Sequence, residues 1–78
     1  MIAGRTKMKE YAVILEHRRT SWGAYVPDLP GCVAVADTRE EVERLIEEAI
    51  KLHIDDLRES GEPIPEPTHF AASIKVAA

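Results

Sequence analysis

One amphipathic stripe constrains the fold more than any other feature of this 78-residue chain. Apolar residues recur at spacings of three and four from Val42 to Leu57, which predicts a helix with one buried face. Thr38 is the expected N-cap, Glu41 completes a capping box, and Gly61 marks the end of the helix. A lone helix cannot bury its apolar face by itself, so the rest of the chain must supply a surface for it. The stripe consists of Val42, Leu45, Ile46, Ala49, Ile50, Ile54 and Leu57.

The segments on either side of this helix have the pattern of β-strands. Residues 10–17, 22–26 and 32–36 are rich in β-branched, aromatic and alternating apolar residues, and turn-forming residues separate them. After the helix, proline occupies every second position over 63–67, which predicts an extended strap. The alternation over 70–76 predicts a fourth strand. The expected fold is therefore α+β, in the order β-β-β-α-β, with one helix on a small, mostly antiparallel sheet.

Length and composition predict a single domain over residues 9–78, preceded by a flexible N-terminal leader over 1–8. The single cysteine, Cys32, cannot form an internal disulfide, and no apolar run approaches the roughly 18 residues of a membrane span. We therefore expect a cytoplasmic protein with no membrane contact. A chain this short buries only a small core, so self-association would help to stabilise it.

Charge is distributed unevenly along the chain. Residues 38–78 carry ten acidic and five basic side chains, whereas residues 1–37 have a net charge of +1. An acidic half repels phosphate and suits a basic partner. On the outer face of the predicted helix, Glu47, Glu48 and Asp55 are candidates for contact with such a partner.

Few patterns point to catalysis. One cysteine and three scattered histidines lack the spacing of zinc ligands, and no glycine-rich phosphate loop is present, so we expect no metal and no cofactor. Two alternatives stay open. Glu16, Asp28 and Asp37 could hold a divalent metal for a nuclease. Trp22 and Tyr25, beside the two arginines of the first turn, could stack on the bases of a nucleic acid.

Three motifs in succession resemble the HicB antitoxins of HicAB toxin–antitoxin systems. They are Trp-Gly-Ala-Tyr-Val-Pro-Asp-Leu-Pro-Gly-Cys at 22–32, Asp-Thr-Arg-Glu-Glu-Val at 37–42 and Gly-Glu-Pro-Ile-Pro-Glu-Pro at 61–67. The similarity covers about residues 8–77. One departure is Ala36, which stands where the family usually has glycine. Each motif alone is a turn, a cap or a strap, and their succession at these spacings is what makes the resemblance specific.

The resemblance implies a partial ribonuclease-H-like fold that pairs into dimers or tetramers and has no enzymatic activity. It also implies a partner, a HicA-type toxin, which is a small basic ribonuclease that cleaves mRNA and that the antitoxin neutralises. Many members continue into a DNA-binding domain. Since this chain ends at Ala78, we expect no binding to operator DNA. The alternative is an orphan HicB-like protein that binds nucleic acid, acts as a vestigial metal-dependent nuclease or binds only itself.

The residues expected at an interface with the toxin or with a sister subunit come from the first motif and from the acidic helix. They are Trp22, Tyr25, Asp28, Leu29, Pro30, Glu47, Glu48 and Asp55.

Overall fold

The computed structural model of this protein describes residues 8–78 and contains three strands followed by one helix. The strands form an antiparallel sheet in the order β1-β2-β3, and the helix covers one of its faces. The predicted α+β class and β-β-β-α order are confirmed. Except for Met8, the predicted leader over 1–8 lies outside the described residues. The elements are β1 (Ile14–His17), β2 (Trp22–Tyr25), β3 (Val33–Ala36) and α1 (Arg39–Glu59).

Alternation along the strands gives the sheet two different faces. Leu15 of β1, Ala24 of β2 and Ala34 of β3 lie opposite one another and point toward the helix. Tyr25 pairs with Val33 on the face that no helix covers. The predicted strands were longer than the observed ones, because β2 offers β1 only four residues to pair with.

A tight corner connects β2 to β3. The amide of Leu29 donates to the carbonyl of Val26 at 3.0 Å, and the amide of Cys32 donates to the carbonyl of Leu29 at 3.0 Å. Gly31 has a φ of +86°, a left-handed conformation that costs glycine little and other residues more. These bonds fold the corner inward and leave Leu29 with no exposed surface.

The ends of α1 agree with the capping signals in the sequence. The Thr38 hydroxyl accepts a hydrogen bond from the Glu41 amide at 3.1 Å, as the capping box predicts. Gly61, with a φ of +70°, follows the C-cap at Ser60. Within residues 8–78, no helix has both the length and the apolar character that a membrane crossing requires.

The core lies between α1 and the sheet, and it is small. Val42 and Ile46 of α1 supply the helical side, and the corner between β2 and β3 supplies much of the other. No Cα of α1 lies within 8 Å of a Cα of β1, so the helix covers β2 and β3 only. The buried residues are Ala24, Val26, Leu29, Cys32, Ala36, Val42 and Ile46.

The predicted fourth strand does not form within this chain. Residues 62–78 contain no strand or helix. The first part, the proline strap, runs past the N-terminal residues: the Tyr11 hydroxyl donates to the Pro65 carbonyl at 2.6 Å, and Lys9 pairs with Glu66 at 2.7 Å. Beyond the strap, residues 70–78 are exposed. Alternation was a sound signal of strand propensity, but a strand also needs an edge to pair with.

Candidate functional site

The outer face of α1 is strongly acidic. The 21 residues of α1 include eight acidic and four basic side chains, which gives the helix a net charge of −4. The basic residues from Arg39 to Lys51 are engaged in ion pairs along the helix. Because these pairs are exposed, each contributes little to stability, about 0.3–0.5 kcal/mol at most. The pairs are Arg39–Glu43 (2.7 Å), Arg44–Glu41 (3.8 Å), Arg44–Glu48 (3.3 Å) and Lys51–Glu47 (3.3 Å).

Within residues 8–78, most of the acidic side chains on the second half of this face have no ion-pair partner. We call Glu48, Leu52, Asp55, Asp56 and Glu59 the acidic patch, since spacings of three and four place them on one side of the helix. Within the described chain, the last three of these carboxylates have no ion-pair partner. The leucine among them is 67% exposed. The patch therefore combines unbalanced negative charge with one apolar anchor.

An open groove separates β1 from α1, where the helix leaves the sheet uncovered. Its volume is about 560 Å³. Val13 and Leu15 form one side, and Ile46 and Ile50 form the other. We call this feature the β1–α1 groove. Charged side chains stand at its rim, and the remaining lining residues are Met8, Lys9, Arg39, Glu43, Glu47 and Lys51.

Asp28 occupies the corner between β2 and β3 and holds the end of the proline strap. Its carboxylate accepts hydrogen bonds from the amide and hydroxyl of Thr68, at 2.9 and 2.6 Å, and from the amide of His69 at 3.1 Å. The Nδ1 atom of His69 lies 2.8 Å from the same carboxylate. The Thr68 hydroxyl, more than any other contact, lowers the pKa of Asp28 far below its ordinary value. The Asp28 side chain is 6% exposed, so it acts as a structural anchor.

Trp22 and Tyr25 lie on opposite faces of β2. Trp22 is half-buried at the edge of the core, where its ring stacks on His17 with 4.1 Å between centroids, and Arg39 lies 5.9 Å from the Trp22 ring. Tyr25 is 40% exposed on the uncovered face. Of the two, Tyr25 is therefore the more accessible to a partner.

The uncovered face of the sheet is apolar beside Tyr25. Val33 and Val35 of β3 are each 62% exposed there. The Arg18 guanidinium lies over Gly23, and a Cβ added to Gly23 would be 3.4 Å from its Nη1 atom. Arg18 also forms an ion pair with Glu16 at 2.8 Å. This face forms a second exposed surface that sequence reasoning did not assign to residues. The sequence of β3 contained a signal for this surface, since it alternates valine with alanine and the bulkier valines face away from the helix.

The eight residues expected at an interface occupy several different places. Glu47, Glu48 and Asp55 are exposed on the outer face of α1, as expected, and Pro30 is exposed at the corner. Leu29 belongs to the core, so it can shape the corner but cannot touch a partner while the domain is folded.

The carboxylates considered for a nuclease do not form a metal site. Among residues 8–78, no group of three or more His, Cys, Asp or Glu side chains is placed to hold an ion. Glu16 is paired with Arg18, and Asp28 is occupied by the strap. Cys32 is buried, which raises the pKa of its thiol and keeps it protonated.

A family profile described as the HicB-like antitoxin of bacterial toxin-antitoxin systems matches residues 11–77. The chain belongs to this HicB-like antitoxin family. The family resemblance inferred from the three motifs is thereby confirmed. The matched range includes β1, β2, β3, α1 and the strap.

Two curated relatives match the HicB-like chain. It is 33% identical over 63 residues to Antitoxin HicB 2 of Photorhabdus laumondii, a match that covers 81% of this chain and 45% of the relative. It is 34% identical over 55 residues to an uncharacterized 14.9 kDa protein from the rep-hol intergenic region of Haemophilus phage HP1, covering 70% of this chain and 41% of the relative. The chain therefore spans less than half the length of these relatives. No solved structure matches it.

Proposed function

We propose that this chain is a toxin-neutralising domain whose acidic patch binds a small basic ribonuclease of the HicA type. The acidic patch is the observation that carries the proposal. An enzyme that binds RNA presents positive charge to phosphate. A complementary acidic surface speeds encounter with such an enzyme and competes with RNA for it. In this proposal the chain has no enzymatic activity of its own.

Helix stability does not explain the patch. Asp56 and Glu59 lie in the last turn of α1, where the partial negative charge of the helix C-terminus disfavours acids. Only Arg58 opposes them in that turn. A cluster that costs the helix a few tenths of a kcal/mol is better explained by a partner that uses it. The exposed Leu52 at its centre supports the same interpretation, since charge around an apolar anchor is typical of a docking surface.

Co-expression tests the proposal directly. The chain is produced together with a small basic ribonuclease of the HicA type, and growth and complex formation are measured together. We expect a stable complex that co-purifies and restores growth. Failure of the two proteins to associate, with the toxin still arresting growth, would contradict the proposal.

A matched pair of charge reversals then tests the patch. Asp55→Lys changes a patch residue, and Glu62→Lys changes an exposed acid after the helix by the same charge. We expect Asp55→Lys to weaken toxin binding roughly tenfold and Glu62→Lys to have little effect, because only the first removes a contact with the partner. Circular dichroism should show α1 intact in both. Equal effects of the two variants would mean that net charge, not this patch, determines binding.

Self-association is the second part of the proposal. Among residues 8–78 the core has seven buried residues, and apolar side chains stay exposed in several places. Domains of this size commonly gain stability by pairing. The cytoplasmic location and the partial ribonuclease-H-like architecture stay predictions.

A further inference from the structure

The outer edge of β3 is open and carries no side chain that would keep another strand away. In the order β1-β2-β3, β3 is an outer strand, and within residues 8–78 no strand pairs with its far side. Its four residues, Val33–Ala36, are all valine or alanine. Native proteins usually protect an outer edge with charged side chains or proline. An edge that has neither is suited to pairing with another strand.

The free backbone groups of this edge belong to Val33 and Val35. The Val26 amide donates to the Cys32 carbonyl at 3.2 Å, so these two residues form a hydrogen-bonded pair at the start of the β2–β3 ladder. The two kinds of pair alternate along an antiparallel ladder, so the pairs that Val33 and Val35 form with β2 are not hydrogen-bonded. Their amides and carbonyls therefore point away from β2, where no other backbone group of residues 8–78 meets them. The edge offers two donors and two acceptors to a partner.

The acidic patch lies on the same side of the domain as this edge. Glu47 lines the β1–α1 groove, so it marks the side of α1 that faces β1. At 3.6 residues per turn, Asp56 lies about 180° and Leu52 about 140° around the helix from Glu47. Since α1 packs on β2 and β3 and no Cα of α1 lies within 8 Å of a Cα of β1, the side of the helix away from the groove faces β3. A strand added to β3 would therefore lie beside the patch.

We propose that an extended segment of the basic partner adds as a strand to the outer edge of β3. Its backbone pairs with the amides and carbonyls of Val33 and Val35. Successive side chains of a strand point to opposite faces, so one set continues the apolar face of β3 and the other set points toward the acidic patch. The segment that fits this site alternates apolar with basic side chains. The inference rests on the toxin partner of the proposed function and adds how that partner docks.

Charge favours the basic partner over a second copy as the source of this strand. If two copies paired edge to edge through β3, their acidic patches would face each other, and like charges across an interface disfavour association. The alternating residues 70–76 of a second copy would bring one basic side chain, Lys75. A ribonuclease that binds RNA carries many, because it must neutralise phosphates. Only a basic segment meets both the backbone groups of the edge and the charge beside it.

Hydrogen exchange on the wild-type chain tests the pairing without any substitution. The free chain is compared, residue by residue, with the complex purified after co-expression with the HicA-type ribonuclease. We expect the amides of Val33 and Val35 to exchange at least about tenfold more slowly in the complex, because each gains a hydrogen-bond acceptor. The amide of Ala34 points toward β2 in both states, so it serves as the internal reference and should change much less.

A matched pair of substitutions tests the same contact. Val35→Pro removes the outward amide hydrogen, and since that amide makes no bond to β2, the ladder keeps its hydrogen bonds. Val35→Thr keeps both the amide and the branched shape of the side chain. By isothermal titration calorimetry, we expect Val35→Pro to weaken toxin binding about tenfold or more, and Val35→Thr to change it less than about threefold. Circular dichroism compares the folds of the variants, and the exchange measurement on the wild type decides the question if Val35→Pro does not fold.

Four results would overturn the proposal. A stable complex in which Val33 and Val35 exchange as fast as in the free chain would keep the toxin as partner and exclude the added strand. Equal toxin binding by the two folded Val35 variants would do the same. Equally slow exchange of these amides in the self-associated chain without toxin would assign the edge to a second copy. Absence of any complex would overturn the proposed function together with this inference, so the two failures are distinguishable.

Discussion

The carboxylate of Asp28 accepts hydrogen bonds from both the amide and the hydroxyl of Thr68, forty residues further along the chain. This pair joins the corner between β2 and β3 to the end of the proline strap. Leu29, the central residue of this corner, is buried in the core. The strap therefore ends at a fixed point of the domain. The position of residues 70–76, which follow the strap, thus depends on one buried turn and one carboxylate.

Replacement of that carboxylate should release the strap and leave the core intact. In Asp28→Asn the charge is lost and only one acceptor oxygen remains, so the side chain cannot accept both the two amide bonds made to Oδ2, from Thr68 and His69, and the Thr68 hydroxyl bond made to Oδ1. The loss of charge also weakens the bonds that remain. We expect these two amides to exchange with deuterium at least several-fold faster, with little change in the amides of α1. Asp37→Asn, at an exposed position before the helix, is the control. Unchanged exchange at residues 68 and 69 would contradict the anchoring role.

The same carboxylate should make stability fall in acid. Hydrogen bonds hold the pKa of Asp28 well below its ordinary value of 3.8, so between these two values the folded state binds fewer protons than the unfolded state. Its stabilising contribution is therefore complete above about pH 4 and is lost as the pH falls below it. Urea denaturation at a series of pH values should show a shallower decline for Asp28→Asn than for the wild type. Parallel declines would show that the contacts of Asp28 do not favour folding.

Leu29 and Leu52 form a natural test of the core. Leu29 has no exposed surface, and Leu52 is 67% exposed on α1. Leu29→Ala leaves a cavity and should cost about 2–5 kcal/mol, enough to unfold much of so small a domain. The same change at Leu52 should stay within about 0.5 kcal/mol. Denaturant midpoints of the two variants measure the difference, and similar midpoints would show that the corner is not part of the core.

The N-cap of α1 gives a prediction of moderate size. Thr38→Ala removes the acceptor of the Glu41 amide and should lower the free energy of unfolding by about 1 kcal/mol. Thr20→Ala, in the exposed first turn, serves as the control and should change it by less than about 0.5 kcal/mol. The comparison requires only urea midpoints at neutral pH. An equal loss at both positions would mean that the capping bond adds nothing to stability.

The sequence predicted an element well where most of the hydrogen bonds that define it lie within a few residues. The bounds of α1 followed from Thr38, Glu41 and Gly61, because caps act on backbone groups a few residues away. The three strands were also predicted, with β1 too long at its start. Strand length depends on the partner strand, and the sequence of β1 alone does not show where β2 ends.

The site was predicted less completely than the fold. Exposed acids on α1 were expected from charge and periodicity, and they are present. Leu29 was expected at an interface with a partner or a sister subunit and is buried in the core, because motif membership does not distinguish a residue that shapes a turn from one that touches a partner. The β1–α1 groove depends on how far the helix is displaced toward β3, and no local signal encodes that displacement.

The sequence by itself determined the propensities: an acidic amphipathic helix, three short strands, a stiff strap and a final alternating segment. Only the tertiary structure decided which of these found partners. Asp28 became an anchor because the corner and the strap end meet across forty residues. Residues 70–76 stayed unpaired because strand formation is a property of two edges, and within residues 8–78 the chain does not bring a second edge to them.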